Sequence, residues 1–120
     1  MAGRENRIDF IEFPAASETD VARASEFYRT VFGWRWQDWG DDYADTRDSG
    51  LGAGLNADPA HRPGAPLAVI YASRLEEARD KAIAAGGALI RDIFSFPGGR
   101  RFHFRDPAGN ELAVWSDSET

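Results

Sequence analysis

The chain has no cysteine, and among its 120 residues it has a single lysine, Lys81, and two histidines, His61 and His103. Without thiols there is no disulfide, no thiolate nucleophile and no sulfur-ligated zinc. Lys81 is the only side-chain amine available for Schiff-base chemistry, and it falls on the outer face of an expected helix, which argues against that chemistry. No apolar run approaches the roughly 18 residues a membrane span needs. Residues 1–7 are polar rather than a basic stub leading an apolar segment, so neither a membrane anchor nor a secretion signal is legible and a cytoplasmic location is expected. Bases are also scarce: 14 against 20 acids give a net charge of -6. An acidic field repels phosphate backbones, which argues against a nucleic-acid partner and for a neutral or cationic small organic molecule. The acids concentrate at Asp38, Asp41, Asp42, Asp45 and Asp48, in a stretch that reads as solvated loop.

What is present is an ordinary globular balance, 42% hydrophobic and 28% charged, at a length suited to one domain. Ile8 to Phe13 is an apolar run closed by Pro14, and reads as a strand. Ser17 or Thr19 can cap a helix in which Val21, Ala24, Phe27 or Tyr28, Val31 and Phe32 recur at three and four, ended by Gly33. Trp34 to Trp39 alternates aromatic with polar, Tyr43 to Arg47 is a weaker strand, and Leu51 to Ala57 is laced with glycine, which permits close backbone approach or an open cavity. Asp58 to Pro66 is a proline-rich linker. The order then repeats: a strand from Leu67 to Ala72, a helix with a Ser73-x-x-Glu76 capping box ended by Gly86-Gly87, a strand from Ala88 to Phe94, and a hairpin. In the hairpin, Arg101 to Arg105 and Glu111 to Trp115 flank the turn Asp106-Pro107-Ala108-Gly109-Asn110.

Strand, helix and three strands therefore occur twice, as modules of about 7–57 and 67–116 joined by the linker 58–66. Sequence identity between the halves is negligible, so the repeat is one of element order. One amphipathic helix covers only one face of each small sheet, and the uncovered face needs a partner. The expected fold is α+β, two βαβββ modules forming a cupped, mostly antiparallel sheet around a cavity. Alternation puts Phe10, Glu12, Leu67, Val69 and Tyr71 on the cavity side, together with Glu111, Ala113 and Trp115. Ile11, Phe13, Ala68, Ile70, Leu112 and Val114 would then back the helices. Aromatic rings with a few carboxylates suit a flat or cationic organic molecule.

FYRTVFGW at residues 27 to 34 and DPAGNELAVW at residues 106 to 115, set in paired βαβββ modules, resemble the vicinal oxygen chelate superfamily of glyoxalase I, bleomycin-resistance proteins and extradiol dioxygenases. The resemblance covers nearly the whole chain and implies a cupped sheet around a pocket and a homodimer. It also implies where metal ligands would stand in the metal-dependent members: a His or Gln on the first strand, a Glu on the fourth, a His on the fifth, and a Glu three residues after the Asn of the DP-x-GN turn. Those positions here are Phe10, a fourth strand lacking His, Asp and Glu, Leu67 and Ala113.

Three readings follow. The first is a metal-free binding module similar to the bleomycin-resistance proteins, its ligand held by Phe10, Glu12, Leu67, Tyr71, Glu111, Ala113 and Trp115. The second is a metal-dependent lyase, isomerase or dioxygenase in which Glu12, His103 and Glu111, one imidazole and two carboxylates, hold Ni, Zn, Mn or Fe at a displaced site. The third is a dimer with a collapsed cavity. His103 points away from Phe102 and Phe104. If its face is the cavity, it is the candidate catalytic acid or base; if not, it is a surface residue between arginines.

Overall fold

The structure, a computed structural model, describes residues 4–118. Its elements are β1 (Arg7–Pro14), α1 (Glu18–Phe32), β2 (Trp36–Asp38), β3 (Tyr43–Thr46), β4 (Gly52–Asn56), β5 (Leu67–Tyr71), α2 (Leu75–Ala84), β6 (Ala88–Phe96), β7 (Gly99–Arg105) and β8 (Glu111–Ser116). The class is α+β, with mostly antiparallel strands. Two compact units are present, one of Phe10–Leu67 and one of the residues from Ala68 onward with those before Phe10.

In the first unit the strands run β2-β3-β4-β1, with β4 parallel to β1 and antiparallel to β3. In the second they run β5-β8-β7-β6, with β8 parallel to β5 and antiparallel to β7. The two orders are the same once each unit is counted from its own first strand, so the doubled element order extends to pairing direction. In each unit the crossover from the first strand to the parallel last one contains the helix, as a parallel pair requires.

Helix α1 begins where the Ser17 hydroxyl accepts from the Asp20 N–H at 3.1 Å. It ends at Gly33, whose φ of 77° lets its N–H reach the Arg29 carbonyl. Its inner stripe, Val21 and Ala24, packs with Phe13, Trp36, Ala44 and Leu55. The expected inward run to Val31 and Phe32 is not formed: Phe27, Val31 and Phe32 are all more than half exposed. Tyr28 takes the inward position instead, its ring 5.1 Å from Trp34 and 6.0 Å from Trp36, so one aromatic cluster finishes the helix face before Val31 can reach it. The strand expected from Trp34 is correspondingly shorter, and Trp34 packs on Tyr28 and Phe32 rather than joining a ladder.

Helix α2 lacks the capping box. Arg74 stands at its N-cap with no side-chain bond, and the Ser73 N–H donates to Glu5 at 3.0 Å. Glu76 instead takes a forked pair of bonds from the Arg100 guanidinium, at 2.6 and 3.2 Å. A bidentate ionic partner outcompetes a backbone amide for a carboxylate. Leu75 and Ala78 of α2 pack with Ala72, Phe102 and Val114, with Ile70, Ile93 and Phe104 at the margin.

The DPAGN turn is a local device. Asp106 accepts from the N–H groups of Ala108 and Asn110, each at 2.9 Å, and Gly109 supplies a φ of 95°. Those bonds, led by the Asn110 amide, hold the Asp106 carboxyl below the ordinary carboxylate range.

Candidate functional site

On each sheet the residues that pack against the helix define, by alternation, an opposite face with no helix on it. In the first unit that face carries Phe10, Glu12, Tyr43, Gly54 and Asn56. Glu12 is 2% exposed and accepts from the Asn56 amide at 3.4 Å. A methyl group at Gly54 would stand 2.5 Å from the Tyr43 hydroxyl and 2.9 Å from Phe10 Cζ. Of the two roles expected for glycine on β4, Gly54 therefore serves close approach, with two aromatic side chains filling the space a larger residue would take. Leu67 is buried.

The helix-free face of the second unit is richer. Phe102 and Val114 lie under α2, so their alternates point away from it: Arg101 stands beside Trp115, His103 beside Ala113, and Tyr71 beside Trp115 on the other side. His103 therefore shares the face of Ala113 and Trp115 and is buried, not a surface residue. Its Nδ1 is 2.9 Å from Glu111 Oε2, its ring packs 5.8 Å from Phe94, and it is 5% exposed. Two residues proposed from alternation, His103 and Glu111, are thus brought together. A carboxylate on one imidazole nitrogen fixes the ring's orientation.

Toward the other end of β8, Tyr71 and Trp115 meet edge to face at 5.2 Å, and Phe96 packs on Trp115 at 6.5 Å. Each ring with a polar atom donates it to a carboxylate. Trp115 Nε1 donates to both oxygens of Asp9, at 3.0 and 3.1 Å, and the Tyr71 hydroxyl donates to Asp117 at 2.7 Å. Burial raises the Asp9 pKa above the usual carboxylate value, against the opposing pull of the indole bond. The bond to Asp117, then burial, pushes the Tyr71 phenol up to about 12. Beside this cluster the Arg101 guanidinium, on a residue 8% exposed, lies 5.5 Å from the Phe94 ring and 5.9 Å from Phe96, and Arg91 sits 3.8 Å above Phe94.

Tyr71, Glu111, Ala113 and Trp115 therefore share one face, as expected, while Phe10 and Glu12 belong to the corresponding face of the first unit. Sequence reading missed Asp9, Asp117, Phe96 and Arg101. Phe96 was within reach of the alternation of β6, had the strand been carried past Phe94 to the Pro97 break. Asp9 carried no signal, because its partner is 106 residues away.

His61 is in the linker, 2.8 Å from Asp58, whose carboxyl that contact holds below its ordinary value. Of the acids expected on a solvated loop, Asp38 ends β2 and Asp45 lies within β3, because the ladder runs through the acidic stretch; Asp45 accepts from the Trp39 indole, and Asp48 takes the backbone and side chain of Arg35.

A family model described as the Glyoxalase/Bleomycin resistance protein/Dioxygenase superfamily matches residues 7–114. The chain belongs to this superfamily. No curated protein matches it in sequence. Among solved structures, it resembles one described as an NAD-dependent benzaldehyde dehydrogenase from Legionella pneumophila, at 14% identity and a TM-score of 0.73, covering 89% of this chain and 96% of that one. It also resembles the Mn(II)-bound glyoxalase from Novosphingobium aromaticivorans, at 20% identity and a TM-score of 0.66, covering 97% of this chain but only 40% of that one. A third is methylmalonyl-CoA epimerase from Mycobacterium tuberculosis, at 14% identity and a TM-score of 0.64, covering 92% of this chain and 87% of that one. Identities this low establish a shared fold.

The ligand positions that the superfamily resemblance implies do not fit a metal here. Phe10, Leu67 and Ala113 offer only carbon, and β4 reads Gly52-Ala53-Gly54-Leu55-Asn56. Among the described residues no group of three or more His, Cys, Asp or Glu side chains is arranged to hold a metal ion.

Proposed function

We propose that this superfamily member binds a planar, cationic organic molecule on the aromatic face of its second unit and sequesters it rather than transforming it. The observation that carries this reading is the Tyr71, Phe96 and Trp115 ring cluster flanked by the Asp9 and Asp117 carboxylates. Ring faces supply apolar area and quadrupole attraction, and the anchored carboxylates supply charge at low entropic cost, because the indole and phenol already hold them. Glu111 extends the acidic edge along β8, where Ala113 stands beside His103. The protein works without a metal cofactor, as a cytoplasmic homodimer.

A panel of planar cations, planar anions and neutral aromatics, scored by thermal shift, tests the reading. A ligand that binds only the folded state raises its stability by mass action. Planar cations are expected to raise Tm, and Trp115→Ala to abolish the shift. A rise with anions alone, or none with any class, overturns it.

The contact between His103 and Glu111 favours one alternative, a metal-dependent enzyme whose site includes this imidazole and carboxylate. Elemental analysis discriminates the two. Stoichiometric Ni, Zn, Mn or Fe, lost in Glu111→Gln, supports the enzyme and excludes the metal-free reading.

A further inference from the structure

The outer face of α1 has no role in the reading above. Thr19, Ala22, Arg23, Glu26, Phe27, Thr30 and Val31 follow a three-and-one spacing along it and form one open, mainly apolar stripe. Phe27 is 55% and Val31 53% exposed, on a helix whose opposite side already has its core in Val21 and Ala24. Two adjacent large apolar side chains left outward on a single stripe are apolar area available to a second protein surface.

The order of residues along the stripe says which protein. We propose that it is the contact through which two copies of this chain pair, α1 lying antiparallel to α1 about a two-fold axis at the level of Ala24 and Ser25. This rests on the homodimer of the preceding reading and assigns its surface. In that arrangement Thr19 stands level with Thr30 of the second copy, Ala22 with Phe27, and Arg23 with Glu26, and each pairing occurs twice. The small Ala22 leaves room beside the phenyl ring, and Arg23 and Glu26 are long enough to meet across the seam. Among the described residues Arg23 makes no ion pair, whereas Glu26 is shared with Arg29 and Thr30 of its own helix. A parallel arrangement would set Arg23 on Arg23 and Glu26 on Glu26, which like-charge repulsion forbids. Self-complementarity about a two-fold axis is what an isologous dimer requires, and no foreign partner would need it.

The stripe spans about 18 Å of helix, so the contact is smaller than a standard stable interface and belongs to dimers that dissociate on dilution. Sedimentation velocity over a concentration series tests it. The full chain is expected to shift from monomer to dimer with a midpoint on the order of tens of micromolar. Arg23→Glu and Glu26→Arg, each bringing like charges together, are expected to weaken association by about tenfold, and the double variant to recover to within about threefold of the parent. Phe27→Ala is expected to remove the dimer while circular dichroism remains that of the parent. A monomer at every concentration overturns this proposal and the homodimer reading together. A dimer indifferent to Phe27→Ala and to both charge reversals overturns only the assignment of α1, and leaves a homodimer formed elsewhere.

Discussion

The indole N–H of Trp115 is shared between both carboxylate oxygens of Asp9, which joins the first strand to the last. Asp9→Asn keeps an acceptor for the indole and removes a charge that burial disfavours. Folding stability at neutral pH is expected to change by less than about 1 kcal/mol. Binding of a planar cation is expected to fall about tenfold, since a charged acceptor beside the rings is gone. Isothermal titration alongside urea denaturation separates the two. Equal losses in both would make Asp9 a purely structural partner.

The Tyr71 phenol reports on Asp117. Its pKa of about 12, against 10 for the free phenol, means the folded protein holds the proton after the unfolded chain has released it. Stability therefore falls as pH rises from 10 to about 12. Alkaline ultraviolet titration is expected to show a late-ionising tyrosine signal that Asp117→Asn moves back toward 10.

The fork between Glu76 and Arg100 has the opposite sign. Its hydrogen bonds hold the Glu76 carboxyl near 2, against 4.5 when free. The unfolded state thus binds more protons in this window, and the pair's contribution, complete above pH 4.5, is lost as pH falls toward 2. Glu76→Gln is expected to flatten that part of the stability-versus-pH curve. An unchanged acid limb in the variant would remove the pair from the account.

Gly54→Ala would press a methyl against the Tyr43 hydroxyl and the Phe10 ring, and is expected to cost about 1 to 3 kcal/mol. Gly64→Ala, in the linker, meets nothing within 4 Å and is expected to stay within about 0.5 kcal/mol of the parent. Thermal denaturation of the two variants gives the comparison directly.

The fold was readable wherever one side of a strand faces a helix. Phe102 and Phe104 go under α2 and His103 goes opposite because period-two alternation follows from backbone geometry, whatever packs above. The same logic placed Ile70 and Val114 beneath the helix, and Tyr71 and Trp115 away from it. Reading failed where a side chain had two possible partners. Glu76 fits a capping box in sequence but meets Arg100 in space. Val31 and Phe32 continue a helical period, but the Tyr28, Trp34 and Trp36 cluster had already completed the inner face. The carboxylates at the aromatic face were illegible for a third reason: Asp9 bonds a residue 106 positions away, and no local pattern encodes such a pair.

The split of the chain into units has a consequence for synthesis on the ribosome. Phe10–Leu67 is continuous and can fold as soon as it emerges, while its sister unit needs residues from either side of that stretch. Glu5, Asn6 and Asp9 emerge before Phe10–Leu67, and their partners Ser73, Tyr71 and Trp115 emerge after it. Asp9 therefore waits through the whole of Phe10–Leu67 and beyond, and its capture cannot begin until translation has passed Trp115.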